Sequence, residues 1–295
     1  MVYLFGLISA CLLGAGFVLQ QHAAERAPVS DMLSFRLLWD LVRVPLWLGG
    51  IGCMVAGQVL SAVALSKGDL SKVEPLLATN LLFAMALARR MSGQRLGGSG
   101  WAGVLLLSGG VTVFIVAGRP TGSDTEVSAL RQWLVIGLLV GLALAVIAVA
   151  RHLPFFEEPP LLAAAAGLLY GLQDALTRVS SQIVGEHGIP GLLTRWEPYT
   201  IVALAVTGLM LVQSAFEAGP LRMSLPALTA AEPLAGIACG IGFLGDQLRT
   251  GPAALAGETV GLVAVVAGVY VLARHPAMPG SVTGSGPGEE VARRR

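Results

Sequence analysis

The sequence predicts an all-α polytopic membrane protein, nine transmembrane helices with a tenth left open, in two inverted repeats. Three observations lead there. Hydrophobic residues make up 55% of the chain and charged residues 13%, against about a quarter charged in a soluble domain. Several stretches run without charge for the ~20 residues that cross a bilayer. A tripeptide also occurs twice, as Glu74-Pro75-Leu76 and Glu232-Pro233-Leu234. Each copy opens an apolar segment, and each is followed by a second apolar segment ending in basic residues.

The first span is Val2 to Ala24. Ile8-Ser9-Ala10-Cys11 has the look of a lipoprotein cleavage box, but no Lys or Arg precedes the run, which continues past Cys11 to Gln20. It is therefore read as a span and not as a signal peptide. From Glu25 to Arg43, the charged residues Asp31, Arg36, Asp40 and Arg43 fall on one side of a helical pattern, away from Leu33, Leu37, Leu38 and Leu41. This predicts an amphipathic helix lying in the interface, with a degenerate tenth span as the alternative. The second span is Pro45 to Ser66, with Trp47 as its interfacial anchor. The third, Asp69 to Met91, carries Glu74, and the fourth is Leu96 to Gly118.

A polar linker, residues 119–130, divides the chain, so residues 1–118 form the first membrane repeat. The fifth span, Gln132 to Ala150 within residues 131–152, connects the halves. The second repeat, residues 153–275, holds a sixth span, Leu161 to Val184, with Asp174 and Arg178, and a seventh, Leu192 to Phe216. The eighth begins near Ser224-Leu225-Pro226, carries Glu232 and ends near Leu248. The ninth, Pro252 to Ala273, carries Glu258. The Gly/Ser/Pro-rich tail, residues 276–295, is expected to be disordered and cytoplasmic.

Orientation follows from counting Lys and Arg. Lys67, Lys72, Arg119, Arg131, Arg195 and Arg249 fall on one side; Arg26, Arg36, Arg43, Arg89, Arg90, Arg95, Arg151, Arg222, Arg274 and the three terminal arginines fall on the other. The C-terminus is therefore expected in the cytoplasm, in a multi-pass protein of the cell membrane. The third and eighth spans are five apart and cross in opposite directions, which makes the two tripeptides inverted copies. Leu19-Gln20-Gln21 resembles Leu172-Gln173-Asp174, which extends the repeat upstream.

The candidate substrate or coupling residues are the polar groups inside spans: Glu74, Glu232, Asp174, Arg178, Asn80, Gln20 and Gln58. Ionisable residues at membrane depth are functional by default. Pro75 and Pro233 cannot donate to the carbonyls of Ser71 and Thr229, so they are expected to break their helices beside the acids. The plainer account makes each Glu a helix-start residue favoured by the helix dipole. Asp174 and Arg178, four apart, are expected to form an ion pair. Small residues at four-residue steps, Gly6/Ala10/Gly14, Gly137/Gly141, Gly236/Gly240 and Gly257/Gly261, are expected at close helix contacts.

Other classes lack their marks. The net charge of +1 argues against nucleic acid. No phosphate-cradling loop and no H-E-x-x-H occur, so neither an ATPase nor a zinc protease is expected. Cys11, Cys53 and Cys239 are scattered in apolar segments, without the spacing of a disulfide framework or metal site. No enzyme activity, cofactor or resident metal is expected. The expected partners are a small-molecule or ionic substrate and the lipid bilayer, with a homodimer left open.

Residues 216–248, FEAGPLRMSLPALTAAEPLAGIACGIGFLGDQL, resemble the second-half signature of the drug/metabolite transporter superfamily, EamA-like branch. There a Gly-Pro turn precedes an Ala-x-x-Glu-Pro-Leu helix that closes on Gly-Glu-x-Leu; here the closing acid is Asp246. Residues 45–76 look more like the NIPA-type magnesium transporters of the same superfamily, with Gly57-Gln58 where those carry Gly-Glu. The resemblance implies an inverted-repeat secondary carrier of a small metabolite or drug-like solute, working by alternating access with proton coupling. A divalent-cation permease is the alternative. A non-transporting membrane scaffold is the reading from another class.

Overall fold

Ten helices make up the regular structure of the described residues, with no strand among them. They are α1 (Val2–Ala24), α2 (Phe35–Leu41), α3 (Pro45–Lys67), α4 (Asn80–Met91), α5 (Gly98–Gly118), α6 (Ala129–Ala150), α7 (Glu158–Leu193), α8 (Glu197–Ala218), α9 (Leu221–Phe243) and α10 (Pro252–Arg274). The computed structural model of the protein describes residues 2–25, 33, 35–67, 73, 76–91, 97–118, 128–152, 158–247, 249 and 251–274. Most of the predicted linker, the C-terminal tail, and the Glu74-Pro75 pair lie outside the described residues.

Among the described residues six helices are able, by length and composition, to cross a membrane: α1, α5, α6, α8, α9 and α10 up to Leu272. The chain is thus built as a multi-pass membrane protein. The other predicted spans correspond to α3, α4 and α7. α3 is 23 residues long, Pro45–Lys67. For α4 twelve residues are described. Among the described residues of the stretch expected as interfacial or as a tenth span, the helix is α2, whose seven residues reach about 10 Å, a third of the bilayer core. Leu37 and Leu41 are buried, Trp39 is 65% exposed, and Asp40 pairs with Arg36 and Arg43 on the outer side. A short amphipathic helix at the interface matches this pattern.

Backbone close approach sets the packing, because lipid supplies no hydrophobic drive between helices. Gly16 and Gly50 bring α1 against α3, where Ser9 Oγ also donates to Gly57 O at 2.7 Å. Gly110 and Gly261 bring α5 against α10. Two arrangements recur. α1 packs on α3 and α4, and α7 packs on α8 and α9. Along α1, Gly6 meets Leu76 and Gly14 meets Asn80 and Ala84, so α1 and α4 run parallel. Along α7, Gly167 meets Leu228 and Gly171 meets Gly236, so α7 and α9 run parallel too. α5 and α10 are antiparallel: Gly103 meets Leu272, whereas Ala117 meets Gly257.

Several expectations need correction. α7 is longer than the predicted sixth span because it runs on to a kink at Gly188, whose φ of 69° places it in the left-handed region. The seventh span begins at Glu197, with Pro198 in its first turn. α9 begins at Leu221 and ends at Phe243, not near Leu248, because Gly245 turns the chain with φ 76°. Pro233 does not break α9: the helix continues through both Pro226 and Pro233. A proline removes one hydrogen bond, which a membrane helix tolerates when neighbouring helices hold it. Trp47 is no interfacial anchor; it is 4% exposed and belongs to the core. The Gly137/Gly141 stripe meets nothing in the chain, since α6 turns that face outward.

Candidate functional site

Glu232 is eleven residues from each end of α9, about 16 Å in from either terminus at 1.5 Å per residue. By length that is half of the ~30 Å that a helix crossing a bilayer core must cover. The backbone around it is gripped by α7. A Cβ on Gly171 would stand 2.5 Å from both Glu232 O and Gly236 N, so only glycine permits this contact. Glu232 is half-buried and within electrostatic reach of Tyr170, one turn before Asp174 on α7. The Tyr170 ring in turn covers Gly208 of α8. Three helices of the second half thus meet around the acid, and Pro233 leaves the Thr229 carbonyl without its helical donor.

From the first half, Asn80 stands level with the middle of α1. Its backbone oxygen lies against Gly14, twelve residues into α1. Its side-chain Oδ1 is buried without a hydrogen-bond partner. α4 and α9 touch. Of the two tripeptide leucines, Leu76 packs on Gly6, near the start of α1, and Leu234 is two residues from the middle of α9. Leu76 therefore stands near an end of α1, whereas Asn80 stands near its middle.

The remaining candidates separate. Gln20 bridges three helices: its Nε2 donates to Met54 Sδ of α3 and its Oε1 accepts from Gln213 Nε2 of α8. Such a bond in a membrane interior contributes about 0.6 kcal/mol on average and at most ~1.7. Gln213→Leu should accordingly lower unfolding stability in detergent by no more than about 2 kcal/mol. A loss beyond that in a denaturation curve would mark the amide layer as the bundle's main tie. Gln58, by contrast, is exposed on the outer side of α3.

Arg178 finds a carboxylate that its own helix does not supply. Its Nη1 donates to Asp246 Oδ2 at 2.7 Å and its Nη2 to Oδ1 at 3.4 Å. The short ion pair of Arg178 thus spans 68 residues; the partner expected four residues away, Asp174, is exposed. Asp246 is almost fully buried, Arg178 about half exposed. Gly240 makes room for the acid, since a Cβ there would stand 2.7 Å from Oδ2, and Gly240 O accepts from the Asp246 N–H at 2.8 Å. Two further ties hold this end of α9: Arg131 Nη2 donates to Ile241 O at 2.8 Å, and Arg249 N to Gly118 O at 3.1 Å. α5, α6 and α7 are thereby fastened to the α9–α10 turn.

Glu258 also lies within the described spans, half-buried on α10 with Oε1 unpartnered. Among the described residues no three His, Cys, Asp or Glu side chains stand close enough to hold a metal ion. Sequence reasoning missed Tyr170 and Gln213. The spacing of Gln213 and Glu217, four apart near the C-terminal end of α8, was the available signal for the second.

No family model matches the chain, and no solved structure matches it. The chain is similar along nearly its whole length to an uncharacterized protein of Corynebacterium glutamicum, with 29% identity over 278 residues covering 94% of this chain and 96% of that one.

Proposed function

We propose that the protein is a secondary transporter of a small metabolite or drug-like solute, of the drug/metabolite transporter type, working by alternating access with proton coupling at Glu232. The observation that carries the reading is the acid itself: an ionisable residue at the middle of a membrane helix, inside the bundle and next to a proline. A carboxylate at that depth is costly and is retained where a proton or a cationic group binds. Two inverted halves are supported by the recurring packing, α1 on α3 and α4 beside α7 on α8 and α9, and by the antiparallel α5 and α10. Nine spans follow if α3, α4 and α7 cross with the six apolar helices, and the arginine asymmetry then puts the C-terminus in the cytoplasm. In this reading Glu232 takes up and releases the coupling proton, Asn80 faces it from the first half, and the Arg178–Asp246 pair closes the non-cytoplasmic end.

The test is flux in reconstituted vesicles, with solute-driven proton movement followed by a pH-sensitive dye across a panel of amino acids, cationic drugs and magnesium. Glu232→Gln should lower coupled flux at least a hundredfold, the lower end of the range for one acid–base group, while the protein still inserts. Unchanged flux in the variant ends the coupling role. Magnesium movement without proton movement would favour the cation permease, and no flux with any solute would favour the scaffold.

A further inference from the structure

Where α8 turns into α9, an arginine is buried inside the protein. Arg222, the second residue of α9, is 8% exposed, and its Nε has no hydrogen-bond partner. Ser224, two residues on, is fully buried, and its Oγ also lacks one. α9 starts on Pro220, and no side chain caps its first N–H groups. Side chains on a helix lean toward its N-terminus, so Arg222 and Ser224 lean toward this uncapped end. Two amides lie at the same end of the bundle: Gln213 on α8 and Gln21 on α1, both fully buried, each with its Oε1 unpartnered. α1 and α8 both pack against α9.

These features add up with one sign. A guanidinium is always charged, a helix N-terminus carries partial positive charge and free N–H groups, and a buried charge without full hydrogen bonding is costly. Placing an arginine at a helix start is unfavourable unless an anion accompanies it. An oxyanion reverses each of these terms. Glu217, across the Gly219-Pro220 turn, is the carboxylate nearest in sequence and is itself nearly buried. It balances charge at this end, but the Arg222 Nε–H is left without a bond.

We propose that the first turn of α9, with Arg222 and Ser224, binds a small oxyanion, a carboxylate or a phosphate group, carried by a solute or by a lipid headgroup. Gln213 and Gln21 present acceptors to hydrogen-bond donors beside that anion. The site does not depend on the carrier reading, because it concerns binding and not flux.

The experiment uses the full-length protein in neutral detergent. Its thermal unfolding is followed with sodium acetate or sodium phosphate against sodium chloride at equal ionic strength. A ligand that binds only the folded state raises the midpoint, here by about 3 °C or more at saturation. Arg222→Gln should weaken the apparent affinity at least about tenfold, the loss expected for one charge-assisted hydrogen bond; Ser224→Ala should weaken it less. Arg151→Gln, at an exposed arginine of α6's end, should leave it unchanged. Glu217→Gln removes the competing carboxylate and should tighten binding, which keeps the proposal open to test if Arg222→Gln folds poorly. A parallel arm compares phosphatidylcholine vesicles with and without phosphatidylglycerol. A shift only with phosphatidylglycerol assigns the oxyanion to lipid, and a shift with acetate or phosphate assigns it to a solute. Equal midpoints in all salts and both vesicles, or shifts that survive Arg222→Gln, overturn the site. Loss of flux in Glu232→Gln would leave these outcomes untouched, so the two readings fail separately.

Discussion

Adding one methyl group at Gly171 should loosen the second half of the bundle. In Gly171→Ala the new Cβ would stand 2.5 Å from Glu232 O and Gly236 N and 2.6 Å from the Ala235 Cβ, where carbon atoms settle at about 3.5–4.0 Å. Two of those neighbours are backbone atoms of a continuous helix and cannot rotate aside, so α7 and α9 must separate by about 1 Å. Overpacking of this kind typically costs 1–3 kcal/mol, and the expected loss is at the top of that range, about 3 kcal/mol, with Gly171→Val worse. Gly141→Ala is the control. Nothing lies within 4 Å of that site, and alanine is the better helix former by about 1 kcal/mol, so stability should hold or rise. Unfolding in mixed micelles with increasing dodecyl sulfate measures both. Because Glu232 rides on the displaced segment, Gly171→Ala should also lose coupled flux, whereas Gly141→Ala keeps it. Equal stability of the two variants would mean that α7 and α9 do not meet as described.

That pair of glycines also shows where the sequence stops being readable. Val2–Ala24, the start of α3 at Pro45 and the start of α10 at Pro252 fall where charge-free length and proline position put them. These limits depend on local composition alone. Rotation about the helix axis does not. A soluble helix marks its inner face with an apolar stripe, but a membrane helix is apolar on every side, so Gly137/Gly141 and Gly236/Gly240 look alike in sequence. Only the fold reveals that the first pair faces outward while Gly240 houses the Asp246 carboxylate. Gln20 and Gln58 divide the same way, one bonded across three helices and the other exposed. Depth is equally hidden. The two Glu-Pro-Leu copies match in letters, yet Leu76 packs near an end of α1 and Leu234 near the middle of α9, because α9 starts at Leu221, well before its second proline. Glu232 was legible as an intramembrane acid. Asn80 was legible only as a polar residue, since its level is set by Gly14 on another helix.

The Arg178–Asp246 pair should respond unequally to removal of its two halves. Arg178→Ala strands a carboxylate whose side chain is 4% exposed, whereas Asp246→Ala leaves a guanidinium that is 51% exposed and can turn to solvent. Stranding a buried charge costs about 3–5 kcal/mol when the pair is fully enclosed, and an exposed pair contributes under about 1. This pair lies between, so the expected losses are about 3 kcal/mol for Arg178→Ala and about 1 for Asp246→Ala. The double variant should resemble Asp246→Ala alone, since no buried charge remains. The resulting cycle would give a coupling of about 3 kcal/mol, well above the ~0.5 kcal/mol scatter of independent sites. Losses that simply add would mean the two groups do not sense each other. The same variants test the closure assigned to this end. With the tie from α7 gone, Arg131 on Ile241 O and Arg249 on Gly118 O still hold the turn, so Asp246→Ala should raise reactivity of a cysteine placed at Gly236 toward an impermeant thiol reagent without unfolding the helix. A swap, Arg178→Asp with Asp246→Arg, should restore part of the protection if charge pairing is what closes the end. If the swapped protein stays as reactive as Asp246→Ala, Gly240 is the reason to look at first: it leaves room for a carboxylate, and an arginine side chain is far larger.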